Sequence, residues 1–129
     1  CSVIEMLKLT FCLRRKSGLS REDFLRYWKY QHGPRVDGHL KTLGCRKYLQ
    51  FHTLEGDLAT IVAKSRGGPE PFDGVAELWF DDEDSFLAHG KTKLGKEAAK
   101  DLLKDELTFI DLENSVIFLS EQQLVIEPK

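Results

Sequence analysis

The sequence predicts an α+β domain in which helices cover one face of a four-stranded antiparallel sheet. Four runs alternate apolar and polar residues with the period of a half-buried strand, and two longer stretches repeat apolar residues at helical spacing. Their order, β-α-β-(short α)-β-α-β, is that of the ferredoxin-like split βαβ arrangement.

Residues 6–13 read as the first strand, with Leu7, Leu9, Phe11 and Leu13 alternating against Met6, Lys8, Thr10 and Cys12. After the turn at Lys16-Ser17-Gly18, Ser20 starts a helix as its cap, with Asp23 three residues on completing a capping-box pattern. Phe24, Leu25, Trp28 and His32 recur at three- and four-residue spacing, which puts His32 on the buried stripe. Gly33-Pro34 is expected to bend or interrupt this helix, because proline lacks the N–H and disfavours helical geometry before it. A short helix resumes over residues 35–43 and stops at Gly44.

Residues 45–54 form the second expected strand. Arg46, Tyr48, Gln50 and His52 share one side of it, and Cys45, Lys47, Leu49 and Phe51 the other. A short helix over residues 57–65, ended by Gly67-Gly68-Pro69, is a candidate lid. The third strand, residues 74–80, sets Ala76, Leu78 and Phe80 against Val75, Glu77 and Trp79. The acidic run Asp81 to Asp84 suits the positive end of the next helix. That helix carries Phe86 and Leu87, breaks near Gly90, and resumes through Leu94, Ala98, Leu102 and Leu103, with one added turn over residues 105–110. Residues 115–119 close the sheet, with an extension toward Ile126.

The whole chain of 129 residues is expected to be one domain, residues 1–129. Its sheet keeps apolar residues on both faces, and pairing two such faces in a homodimer would bury the one that no helix covers. With 19 basic and 21 acidic residues spread along the chain, a nucleic-acid or anionic-lipid face is not expected. No apolar run approaches the roughly 18 residues of a membrane span. Cys1, Cys12 and Cys45 form no paired framework or zinc motif and suit a reducing, cytoplasmic setting, with Cys12 and Cys45 as small buried hydrophobes. The chain opens on Cys1, so the question of an upstream targeting segment stays open.

His32 is the leading candidate for chemistry, an imidazole that titrates near neutrality held beside aromatic rings. The same residue also reads as a helix-end histidine bonded to a carbonyl and packed on Trp28. Tyr48 and His52 form a polar strand face suited either to orienting a phenol or carbonyl or to an exposed edge. Trp79, beside Glu77, reads as core or as a flat wall for an aromatic ligand. His39 and His89 read as surface residues. A metal set of His32, Asp37 and His39 lacks a second ligand pair, and no phosphate loop or nucleophile elbow is present, so no cofactor is expected.

Ser20 to Phe24, Tyr27-Trp28 and His32-Gly33-Pro34 together resemble the first-helix signature of the EthD-domain family. Phe72 to Phe80 is similar to that family's third strand, and Phe86, Asp105-Glu106 and Phe109-Ile110-Asp111 continue the likeness across the chain. The resemblance implies a dimeric α+β barrel. Within the family, fungal members look most similar; these are associated with aromatic polyketide pathways in secondary metabolism, as dehydratases or decarboxylases. The expected activity is therefore a cofactor-independent lyase on a small aromatic or polyketide intermediate. His32 would act as acid–base, Tyr48 and His52 as proton-handling groups, and Tyr27, Trp28, Trp79 and Phe80 as substrate-binding residues. A cofactor-free monooxygenase of the same fold and a non-catalytic binder of hydrophobic ligands are the alternatives.

Overall fold

The structure, a computed structural model, describes residues 6–128; Cys1 lies outside them. Strand β1 (Leu7–Leu13) leads into helix α1 (Arg21–Tyr27), which runs through a π-helical turn (Trp28–His32) directly into α2 (Gly33–Asp37). Short α3 (Leu40–Leu43) precedes β2 (Lys47–His52), and α4 (Asp57–Lys64) precedes β3 (Gly74–Phe80). Helices α5 (Glu83–Lys91) and α6 (Lys93–Phe109), a 3-10 turn (Leu112–Asn114) and β4 (Val116–Glu121) complete the chain. The strands form one antiparallel sheet in the order β2-β3-β1-β4.

Local chemistry accounts for the element ends. Ser20 is extended (φ −70°, ψ 157°) and its Oγ accepts the Asp23 N–H at 3.1 Å, the cap expected from the sequence. Asp82 and Thr92 cap α5 and α6 in the same way, accepting from the Ser85 and Gly95 N–H groups. The interruption expected near Gly90 falls instead at Thr92, whose extended backbone turns the chain between the two helices. Helix α6 then continues unbroken to Phe109, so residues 105–109 are its last turns and not a separate one. Gly44 ends α3 with φ +72°, a conformation that side chains with a Cβ rarely adopt. The fourth strand stops at Glu121, short of Ile126.

Register decides which side chains meet the helices. Leu7, Leu9, Phe11 and Leu13 pair with Phe80, Leu78, Ala76 and Gly74, and these residues form the covered face. One buried cluster joins Leu13, Phe24, Trp28, Ala76, Phe109 and Ile110; a second joins Leu7, Cys45 and Phe80. Cys45 is the small buried hydrophobe expected of it, whereas Cys12 is only half-buried, on the opposite face of the sheet. Asp73, itself buried, ties three segments together. Its carboxylate accepts from the Arg15 backbone N–H (2.8 Å) and pairs with the Arg15 and Arg21 guanidinium groups (2.9 and 3.2 Å).

The uncovered face carries exposed apolar side chains: Phe51 and Phe118 are each about half exposed there. Among the described residues, no helix is long and apolar enough to cross a membrane.

Candidate active site

Between the sheet and helices α5 and α6 lies a cavity of about 460 Å³. Its walls include Leu9, Phe11, Leu78, Phe80, Phe86 and Leu102, and its polar side chains are those of His32, Tyr48, Lys91 and Glu106. The covered face of the sheet supplies the floor, and a stripe of α6 (Ala99, Leu102, Glu106) with Ile110 just beyond it supplies one side.

The Gly33-Pro34 step does not break the first helix, contrary to the sequence expectation. The Gly33 N–H reaches back five residues to the Trp28 carbonyl, which opens the turn to π geometry. A wider turn accommodates Pro34, which has no N–H to donate and would crowd an ordinary helical turn. The Trp28 carbonyl also accepts from Gln50 Nε2 at 2.9 Å, fastening this turn to β2. Trp28 and His32 both stay on the buried stripe, 1% and 5% exposed.

His32 meets a partner that the sequence reading named in the family likeness but gave no role. Its Nδ1 lies 2.7 Å from Asp105 Oδ2 on α6, and the Tyr27 hydroxyl donates to Oδ1 of the same carboxylate at 2.5 Å. Burial alone would push the Asp105 carboxyl up, but the hydrogen bonds from Tyr27 and His32 outweigh it and hold the group below its usual range. Asp105 is therefore anionic at neutral pH and accepts the His32 Nδ1–H. Burial depresses the His32 pKa more than Asp105 raises it, so the ring is neutral with Nε2 unprotonated. Among the described residues none hydrogen-bonds Nε2.

Tyr48 projects from β2 into the same cavity. Gln50 Nε2 donates to its oxygen at 2.8 Å, which leaves the phenolic O–H free to donate to a ligand. Burial raises the phenol to about 12, so it stays protonated. Glu106, next to Asp105 but turned into the cavity, has its carboxyl raised to about 7 by burial and, secondarily, by the Asp105 charge.

Of the remaining sequence candidates, only Trp28 and Phe80 reach the cavity. His52 shares the Tyr48 side of β2 but does not line the cavity. Its ring stacks on Trp28 (centroids 4.8 Å apart, 19° between planes), and its Nε2–H donates to Gln50 Oε1 at 2.9 Å. It is thus a buttress for Gln50 and Trp28, and burial lowers its pKa. Tyr27, expected to bind substrate, is spent on Asp105 and does not line the cavity. Trp28 and Phe80 do line the cavity. Trp79 does not: strand alternation turns it to the uncovered face, where its Nε1–H donates to Glu77 (3.3 Å) and Lys8 lies 5.5 Å over its ring. Helix α4 borders a different depression with Pro69 and Pro71, so it is no lid for this cavity. His39 pairs with Asp101 at 2.8 Å, and His89 Nδ1 bonds the Ser85 carbonyl at 2.8 Å. Among the described residues, no group of three His, Cys, Asp or Glu side chains is arranged to hold a metal ion.

Asp105 and Glu106 entered the sequence reading only through the family likeness, with no place in the site. The signal was present: Ala98, Leu102, Asp105 and Phe109 repeat at four, three and four residues, placing an acid on a buried stripe. What faced that acid depended on the packing of α6 against the first helix.

The sequence profile of the EthD domain matches residues 16–113, which include every side chain of the cluster. No curated protein matches the chain. Solved structures of the same fold include an EthD-like protein from Ralstonia eutropha (20% identity, TM-score 0.59, covering 98% of this chain and 97% of that one). Another is a hydroxynitrile lyase from Passiflora edulis (16% identity, TM-score 0.60, covering 97% and 100%). A third is a dimeric protein of unknown function with a ferredoxin-like fold from Bacteroides fragilis (12% identity, TM-score 0.55, covering 91% and 96%).

Proposed function

This chain belongs to the EthD-domain family, and from that membership and the cavity built around His32 we propose that it is a cofactor-independent lyase acting on a small aromatic or polyketide-type intermediate. The observation that carries the reading is the Asp105–His32 pair: an anionic carboxylate fixes the imidazole so that its basic nitrogen is the free one, in a residue lining an apolar cavity. His32 Nε2 removes a proton from a carbon acidified by a neighbouring carbonyl, and Tyr48 O–H hydrogen-bonds the oxyanion that develops there. Phe80 and Trp28 flank a flat, neutral substrate, and Tyr27 holds Asp105 in place. That a Passiflora edulis protein of this fold is a hydroxynitrile lyase supports elimination-type chemistry on the scaffold.

The active unit in this reading is a single domain that pairs through its uncovered sheet face, as the dimeric Bacteroides fragilis protein makes reasonable, and free thiols at Cys12 and Cys45 suit the cytoplasm. The largely apolar lining also supports a second reading, a carrier of hydrophobic ligands without turnover.

Replacing His32 by Ala, and separately Asp105 by Asn, separates these. Each variant is expected to keep its fold by circular dichroism and its affinity for an aromatic ligand such as naphthol, while turnover falls by about 10²–10⁴-fold. Ligand binding by wild type and His32→Ala alike, with turnover in neither, would favour the carrier. Oxygen consumption with an anthrone would instead indicate cofactor-free monooxygenase chemistry.

A further inference from the structure

An apolar cavity is a costly place for a carboxyl group without a hydrogen-bond partner. Glu106 occupies such a place. Its companions in the lining are Gly95, Ala99 and Leu102 on α6 and Ile110 just after it, and among the described residues none hydrogen-bonds its carboxyl. Three ionisable groups share its cavity, Tyr48 on β2, His32 on the π turn and Lys91 at the end of α5, and Asp105 adjoins it on its own helix. The Glu106 charge is felt at Tyr48, the side chain suited to bind a substrate oxygen.

We propose that Glu106 is a second catalytic residue, the general acid that protonates a departing hydroxyl while His32 takes the proton from the adjacent carbon. The inference rests on the lyase reading and narrows it to dehydration of a β-hydroxy carbonyl. His32 Nε2 removes the proton from the carbon between carbonyl and carbinol, and the electron pair of that C–H bond becomes the new C=C bond. The C–O bond breaks, its oxygen takes the Glu106 proton, and water leaves. His32 is then protonated and Glu106 ionised, so one proton passing from imidazolium to carboxylate, directly or through the released water, restores both. With its carboxyl lifted to about 7, Glu106 retains a protonated population at neutral pH while His32 stays neutral, the pair of states that elimination requires.

The test uses a β-hydroxytetralone, which yields a naphthol on losing water, and the matching β-acetoxytetralone, whose acetate leaves without protonation. Glu106→Gln is expected to slow the hydroxy substrate by about 10²–10⁴-fold and to leave the acetoxy substrate near the wild-type rate. Glu106→Asp, which keeps the acid, is expected to recover part of the loss. The wild-type protein carries the same test alone: its rate on the hydroxy substrate falls above about pH 7 as Glu106 ionises, and its rate on the acetoxy substrate does not. Equal loss on both substrates in Glu106→Gln, with naphthol binding retained, overturns the acid role and makes the residue structural. A wild-type rate in Glu106→Gln together with an inactive His32→Ala overturns the inference and leaves the lyase reading standing. A wild type that turns over neither substrate, or a His32→Ala variant as active as wild type, overturns both.

Discussion

At the scale of single residues, the site is a lesson in how two neighbouring acids acquire opposite behaviour. Asp105 receives two hydrogen bonds and stays ionised, whereas Glu106 receives none and is lifted to about 7. The second effect has a stability consequence. Below the ordinary glutamate value of 4.5 the carboxyl is protonated in both folded and unfolded chains. Between 4.5 and about 7 the folded protein holds a proton that the unfolded chain releases, so stability declines as pH rises, and above about 7 the full penalty applies. Allowing for partial access of solvent to the cavity, that penalty is about 2 kcal/mol. Chemical denaturation of wild type and Glu106→Gln should therefore show the variant gaining about 2 kcal/mol on the wild type between about pH 4 and about pH 8. A gap that does not change with pH would show that the carboxyl is not ionising in a buried place.

At the scale of elements, the site depends on how the first helix meets β2 and β3. The Trp28 ring stacks on the His52 ring and packs against Gly74, the cross-strand partner of His52, and a Cβ built on Gly74 would run into the indole itself. Because Trp28 is fully buried, it has little room to yield. Gly74→Ala should cost about 1–3 kcal/mol in thermal or urea unfolding, and it should lower activity by shifting the π turn that holds His32. A variant as stable as wild type would mean that the indole relaxes freely. The turn itself was half legible in the sequence. Gly33-Pro34 signalled an irregularity, but a missing N–H is equally compatible with a kink, a stop or a wider turn. The hydrogen bond from Gln50 to the Trp28 carbonyl, a contact across 22 residues, braces the third outcome.

At the scale of the whole molecule, the two faces of the sheet have different fates. One is closed by α1, the π turn and α6 and contains the cavity. The other shows Phe51, Val116 and Phe118, each about half exposed, around a Lys8–Glu77 pair at 3.2 Å. If two copies meet through this face, Phe118→Asp should convert a dimer into a monomer in sedimentation analysis while leaving the far-ultraviolet spectrum unchanged, because the residue sits away from the cavity. A monomeric wild type would remove the need for such an interface. Trp79 belongs to this surface, and its misplacement as a cavity wall came from treating both parities of β3 as equally able to face the ligand.

Periodicity, caps and glycine stops come from local interactions, and from these alone the chain determined its strands, its helices, their order and the burial of His32. The family likeness was legible for the same reason, since its motifs are short and lie on those elements. What faces His32 is a long-range matter. Asp105 lies 73 residues further along the chain, and only the packing of α6 against the π turn brings its carboxylate to the imidazole. The same packing turns Glu106 into the cavity, and strand pairing sends Trp79 to the other side of the sheet. Sequence pattern specifies which side of an element is buried; tertiary structure decides which two buried sides meet, and so which groups share a proton.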